Sequence, residues 1–130
     1  MPIDYQIDAE RRIVFATPKG TMTTEDLLQF IEEVWSRPDL RGFDELVDMS
    51  AVERVEYGSA WKVREIAGQA AQNDIPGVPT KFAIVAESDH HFKLGEMYRA
   101  FRDANPKSMR EVRVFRGREE ALRWLQEPRS

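Results

Sequence analysis

The sequence predicts an α/β fold: one domain built on a mixed, mostly parallel five-stranded sheet with about four helices and an N-terminal β-hairpin. Two strand-like runs near the N-terminus are joined by a polar turn, and strand-like and helical segments alternate after residue 43. The alternation implies right-handed crossovers between parallel strands. A length of 130 residues, with 42% hydrophobic and 32% charged side chains, suits one globular domain.

The first part of the chain predicts a hairpin followed by a helix. Residues 5–8 and 13–17 are its strands, which place an antiparallel strand at one edge of the sheet. Thr23 is suited to cap the helix, with Asp26 at the third helical position. Helical spacing then predicts one buried stripe, formed by Leu27, Leu28, Ile31, Val34 and Trp35. Trp35 is thus predicted to be a core residue and not a binding residue.

Three further strands are predicted, each followed by a helix. The strands are 45–49, 81–86 and 111–115, and the helices are 59–73, 89–105 and 118–126. Because the ligand-binding and catalytic residues of open α/β folds lie beyond the carboxyl ends of the strands, the loop after residue 49 is the first candidate site. We expect the turns after residues 49 and 86 to lie side by side.

Polar and aromatic side chains near these turns form the predicted partner or ligand face. Asp48 and Ser50 are of the types that hydrogen-bond loop amides where a strand ends. No G-x-S-x-G elbow marks a serine nucleophile, so no catalytic residue and no enzymatic activity are predicted. The predicted face comprises Asp48, Ser50, Tyr57, Ser59, Trp61, His90 and His91.

Trp61 has two interpretations. On a helical wheel, Val63, Ala67 and Ala70 share one apolar face, and Trp61 lies well to its side. Large aromatic residues are mostly buried, which favours sideways packing on a neighbouring helix. The alternative is an exposed anchor for a partner or an apolar ligand, because tryptophan is enriched in binding hot spots.

The two histidines do not predict a metal site. His90 and His91 are adjacent and lack the i, i+4 spacing that lets two imidazoles share one ion, and the chain has no cysteine. Ser88 or Asp89 is predicted to cap the third helix. His90 is expected to lean toward a stripe of apolar residues and His91 to face outward. That stripe comprises Leu94, Met97 and Phe101. Neither a metal nor a cofactor is predicted.

Charge and hydropathy narrow the range of partners. The net charge is −4, with acidic residues in excess before residue 93 and basic residues in excess after it. Arg99 and Arg102 are expected on the outer side of the third helix among acidic residues, in a solvated ion-pair surface that does not predict nucleic-acid binding. No window approaches a membrane span, and no signal-peptide pattern begins the chain. We expect a cytoplasmic protein without membrane insertion.

An ordered set of short motifs carries a family resemblance. The motifs are Tyr5-x-Ile7, Gly20-x-Met-Thr23, Leu46-Val-Asp-Met-Ser50, Met97-Tyr98, Val114-Phe-Arg116 and Glu120-Ala-Leu-Arg-Trp-Leu125. Together they resemble the SpoIIAA-like family of small bacterial proteins, which has the STAS or anti-sigma-factor-antagonist-like fold and is grouped with CRAL-TRIO lipid-binding domains. The resemblance covers nearly the whole chain and implies an α/β domain with a mixed sheet.

The resemblance also implies a phosphorylation site. Anti-sigma-factor antagonists carry a phosphorylatable serine at the start of the helix after the Asp-x-Ser strand, which corresponds here to Gly58 or Ser59. The acidic-Ser-Ser-Gly pattern of those proteins is missing. A helix N-terminus favours phosphate, but Glu53 and Glu56 repel it. Ser59 is therefore predicted mainly as a helix cap, with a phospho-acceptor as the alternative.

Two functions remain open. The first is a non-enzymatic regulatory or protein-interaction module of the STAS-like type, acting through the loop and helix start at 50–61. The alternative is a carrier or sensor of a small apolar or lipid ligand, which the CRAL-TRIO grouping suggests. Residues for an adaptable pocket are Met22, Met49, Phe92, Met97 and Tyr98, although their helical and strand spacing favours core filling over a pocket. An edge strand also makes a symmetric homodimer conceivable.

Overall fold

A computed structural model describes residues 3–56 and 59–128. In chain order the strands are β1 Ile3–Asp8, β2 Ile13–Pro18, β3 Gly20–Met22, β4 Asp44–Asp48, β5 Val52–Val55, β6 Thr80–Val85 and β7 Arg110–Phe115. The helices are α1 Thr24–Trp35, α2 Ala60–Gln72, α3 Asp89–Ala104 and α4 Arg118–Gln126, and a short 3-10 turn covers Pro38–Leu40.

The main sheet has five strands in the order β1-β2-β4-β6-β7. The β1–β2 hairpin is antiparallel and lies at one edge, while the remaining neighbours pair in parallel. β4 is an interior strand between β2 and β6. The predicted α/β class, the mixed five-stranded sheet, the hairpin and the four helices are confirmed.

A second, two-stranded sheet was not predicted. β3 pairs in parallel with β5, with a register shift after Gly20. Runs of three and four residues are too short to show an alternating pattern, so neither segment is predicted as a strand. This small sheet connects the chain before α1 to the chain before α2.

Serine and threonine hydroxyls start three of the helices. Thr23 and Asp26 form a reciprocal capping box at α1, with hydrogen bonds of 3.1 and 3.3 Å. The hydroxyls of Ser59 and Ser88 accept hydrogen bonds from the third residue of α2 and α3, at 3.3 and 3.1 Å. These caps agree with the sequence-based predictions.

The two faces of the sheet are covered differently. Leu46 in β4 faces α4 and packs in an apolar layer with Ala121 and Trp124. The alternate residues of β4 face α1, α2 and α3. α2 packs against both α1 and α3 and spans the space above this second face of the sheet. In the ranges 3–56 and 59–128, no helix is both long and apolar enough to traverse a bilayer.

Candidate functional site

The carboxyl ends of the two central strands lie side by side, as predicted. The Met49 amide donates to the Val85 carbonyl at 2.9 Å, which joins the chain after β4 to the end of β6. Asp48 accepts from the Ser50 amide at 3.0 Å and from the Ser50 hydroxyl at 2.6 Å. Arg118 lies 3.5 Å from the other Asp48 oxygen. Asp48 and Ser50 therefore hold the turn after β4.

The aromatic residue at the start of α2 is exposed. Trp61 is 69% exposed, so the prediction that it packs sideways on a neighbouring helix is wrong. The inward face of α2 is formed by Val63, Ile66 and Ala67, and Trp61 is not part of it. Ser59 is also exposed, whereas Tyr57 and Gly58 lie outside the described residues.

The two histidines have the opposite orientations to those predicted. His91 lines the interior cavity described below, where burial lowers its pKa, and His90 is exposed. Of the predicted stripe, Leu94 is buried, whereas Met97 and Phe101 do not line the cavity. Gly95 is buried beside Leu94, where a Cβ would lie 3.1 Å from the Val114 methyl groups. The inward face of α3 is formed by His91, Leu94, Gly95, Tyr98 and Arg102.

The rings of His90 and His91 are neighbours at the start of α3. Their centroids are 5.8 Å apart. No group of three or more His, Cys, Asp or Glu side chains within 3–56 and 59–128 has an arrangement that could hold a metal ion.

Arg102 is buried and not on the outer side of α3, so that prediction is wrong. Its side chain is 1% exposed and donates to Asp74 at 2.5 Å. It also donates to the Ser108 and Tyr98 hydroxyls, at 2.9 and 3.2 Å. Asp74 additionally accepts from the Met109 amide at 2.7 Å. This network ties the loop after α2 to the end of α3 and satisfies the buried guanidinium.

A cavity of about 470 Å³ lies between the sheet and helices α1, α2 and α3. Its volume is in the range of small-molecule sites, roughly 300 to 1,000 Å³. It extends along β4 from Glu45 to Met49, a span of about 13 Å for four residues of extended chain. Its apolar lining includes Ile3, Met22, Phe30, Val47, Met49 and Ile66.

Polar side chains meet near the amino ends of the strands, at one end of this cavity. Glu45 is 6% exposed, and burial raises the pKa of its carboxyl to about 7. The charges of Arg110 and Arg102 lower that pKa, as does a hydrogen bond from the Trp35 side chain. The Arg110 guanidinium stacks on the Trp35 ring, 3.9 Å from its centroid. Trp35 is half-buried and lines the cavity, in addition to its predicted role in the core.

Only part of the pocket proposed from the sequence surrounds this cavity. Met22, Met49 and Tyr98 line it, and burial raises the pKa of Tyr98. The Phe92 ring instead lies beneath Arg116, whose guanidinium carbon is 4.1 Å from the ring centroid. Met97 lies off the inward stripe of α3.

Sequence reasoning missed the acid and the arginine at the polar end. An acidic residue at position 45, directly before the apolar pair Leu46 and Val47 of an interior strand, was a usable signal, because such strands are buried on both faces. The position of Arg110 carried no such signal. Its approach to Glu45 depends on β7 and β4 flanking β6 in one sheet.

Comparisons with known proteins bear on the fold. No family model matches the sequence, and no curated protein matches it. The structure is similar to the crystal structure of an uncharacterized protein of the DUF3478 family with a SpoIIAA-like fold, from Shewanella loihica PV-4. The two chains are 19% identical, with 95% of this chain and 91% of that chain covered at a TM-score of 0.56. The protein therefore has a SpoIIAA-like fold.

Proposed function

We propose that this protein binds a small, largely apolar ligand in the cavity between its sheet and helices α1 to α3. One observation carries the proposal: the cavity has a volume of about 470 Å³ and a mainly apolar lining with polar groups gathered at one end. Such a lining with a few convergent polar groups is typical of ligand sites. Both carriers and sensors of small ligands use a site of this kind.

Thermal unfolding in the presence of a defined probe tests the proposal. We expect dodecan-1-ol to raise the melting temperature, because a ligand that binds only the folded state at one hundred times its Kd adds about 2.7 kcal/mol of stability. Native mass spectrometry of freshly purified protein should also show a co-purified small molecule.

A cavity-filling variant makes the test specific. Ala70 is buried and lines the cavity from α2, so Ala70→Phe should fill part of it and abolish the shift. Ala100 lies on the exposed side of α3, so Ala100→Phe should keep the shift. Equal shifts in both variants, or no shift in the unmodified protein together with a clean apo mass, would contradict the proposal.

We also propose, as a second candidate, that residues 50–61 form a protein-interaction face of the STAS-like type. The observation in its favour is the exposure of Trp61, which is 69% exposed and lies two residues after the exposed cap Ser59. Exposed tryptophans of this kind are typical anchors at interfaces. In this proposal Ser59 is also the phospho-acceptor, because a phosphate there would meet the free amides of α2.

A pull-down from native cells tests this second candidate. A specific partner should be retained by the unmodified protein and by Glu119→Ala on α4, and lost with Trp61→Ala. Phosphopeptide mapping under growth and stress conditions checks Ser59. Equal partner recovery by both variants would remove Trp61 as the anchor, and a consistently unmodified Ser59 would remove the phosphosite.

A further inference from the structure

At the polar end of the cavity, Arg110 uses few of its N–H donors in hydrogen bonds to the described residues. Among the described residues, Arg110 stacks on Trp35 and donates one long hydrogen bond, 3.4 Å, to the Lys81 carbonyl. A guanidinium has five N–H donors. Arg102, in contrast, uses its donors on Asp74 and on two hydroxyls. Of the two arginines whose charges act on Glu45, Arg110 is therefore the one with N–H donors left for a ligand.

Glu45 faces the same space without a close ionic partner. In the described part of the chain, no Lys or Arg nitrogen forms an ion pair within 4.0 Å of its carboxylate. The charges of Arg110 and Arg102 nevertheless act on it at longer range. Burial keeps its pKa at about 7, so the carboxyl exists in both protonation states near neutral pH. In the neutral state it is a hydrogen-bond donor as well as an acceptor.

We propose that the cavity ligand is an amphipathic carboxylic acid, whose carboxylate binds Arg110 and accepts a hydrogen bond from a protonated Glu45, so that one proton is taken up on binding. The inference rests on the proposed ligand-binding function and names the ligand class. The acyl chain would extend toward Met49 along the apolar part of the cavity.

The balance of charge favours an acid over other head groups. Two carboxylates in one buried site cannot both stay ionised, so the arriving anion drives a proton from solvent onto Glu45. The ligand carboxylate then replaces the Glu45 carboxylate as a negative neighbour of Arg110, while Asp74 acts on Arg110 in both the empty and the occupied state. An ammonium head group would meet the charges of Arg102 and Arg110 instead. A neutral alcohol would bring no negative charge to Arg110.

Other charged and titratable groups also line the cavity. Arg37 and Arg41 lie in the segment between α1 and β4, and Arg37 pairs with the exposed Asp39. Burial raises the pKa of Tyr98 above its ordinary value, so its phenol stays neutral. His91 has a lowered pKa and is already neutral above pH 7. Asp74 is the remaining acid, and it is held by Arg102.

Isothermal titration with two matched probes tests the proposal. Dodecanoate and dodecan-1-ol are titrated into the full chain between pH 7 and pH 9, in two buffers of different ionisation enthalpy. The dodecanoate Kd should rise about tenfold for each pH unit above pH 8, the slope for one linked proton. The buffer comparison should give uptake of one proton at pH 8, and the dodecan-1-ol Kd should not change with pH.

Two variants assign the effect to the named residues. Glu45→Gln mimics the neutral acid, so the dodecanoate Kd should become independent of pH and stay near its pH 7 value. Arg110→Met should weaken dodecanoate binding at least tenfold more than dodecan-1-ol binding. Melting temperatures and circular dichroism confirm that each variant is folded.

The outcomes separate this inference from the function on which it rests. If both probes bind with equal, pH-independent affinity, the acid and the proton uptake are refuted while ligand binding stands. If neither probe binds, both proposals fail. A dodecanoate affinity that increases with pH, or an unchanged pH slope in Glu45→Gln, also refutes the proton uptake on Glu45.

Discussion

At the scale of single residues, burial of the Glu45 carboxyl lowers the stability of the folded protein where this acid is ionised. Its pKa rises from 4.5 to about 7 on folding, chiefly through burial. The folded state therefore binds the proton more tightly than the unfolded state, and this group's contribution to stability falls as pH rises from about 4.5 to 7.

Glu45→Gln should consequently stabilise the protein in a pH-dependent way. We expect a gain close to zero at pH 4.5 that grows to at most about 3 kcal/mol at pH 8, from 1.36 kcal/mol per pKa unit. Urea unfolding of both proteins at several pH values measures the difference. A constant difference across that range would show that Glu45 does not titrate as described.

Asp74 presents the opposite case, an acid whose removal leaves a buried cation unpaired. Asp74→Ala should destabilise the protein by about 3 to 5 kcal/mol, because Arg102 is 1% exposed and loses its only ion pair among the described residues. Asp103→Ala is the matched control, since its pair with Arg99 is exposed and should contribute less than about 0.5 kcal/mol. Denaturant unfolding that gives similar losses for both variants would contradict the structural role of Asp74.

At the scale of elements, two helical glycines differ in what surrounds them. A Cβ at Gly68 in α2 would meet no atom within 4 Å, whereas one at Gly95 in α3 would lie 3.1 Å from the Val114 methyl groups. Gly68→Ala should therefore stabilise the protein by about 0.5 to 1 kcal/mol through helix propensity. Gly95→Ala should show no such gain, because α3 or β7 must shift. Equal gains in thermal or denaturant unfolding would mean that the α3–β7 contact is looser than described.

α4 is attached to the sheet by a buried lysine. The Lys81 ammonium donates to the Trp124 and Glu127 carbonyls, at 2.8 and 3.0 Å, at the end of that helix. It also lies 5.1 Å from the Trp124 ring centroid. The face of the sheet under α4 is therefore closed by both apolar packing and charged hydrogen bonds, while the other face keeps its cavity.

At the scale of the whole molecule, the three tryptophans report on three different regions. Trp124 is 4% exposed in the α4 layer, Trp35 lines the cavity, and Trp61 is 69% exposed. Trp61→Phe should remove most of the fluorescence that iodide quenches, whereas Trp124→Phe should leave that fraction nearly unchanged. An unchanged quenchable fraction in Trp61→Phe would place this ring against another surface and would remove the second candidate function.

The sequence predicted the elements better than it predicted the site. The caps at Thr23, Ser59 and Ser88 were readable because each depends on only a few consecutive residues. The inward face of α3 could not be predicted in the same way, because apolar periodicity placed Met97 and Phe101 on that face and gave no place to Arg102. A buried arginine contradicts any rule based on hydropathy, and its burial depends on an acid 28 residues away.

The sequence by itself determined the type and order of the main elements, the hairpin and the helix starts, because these follow from short-range periodicity and capping. Only the tertiary structure decided that Glu45 and Arg110 meet at one end of a cavity, that Arg102 pairs with Asp74, and that Trp61 remains outside. Each of these depends on contacts between residues far apart in the chain, or on the lack of a surface to cover a side chain.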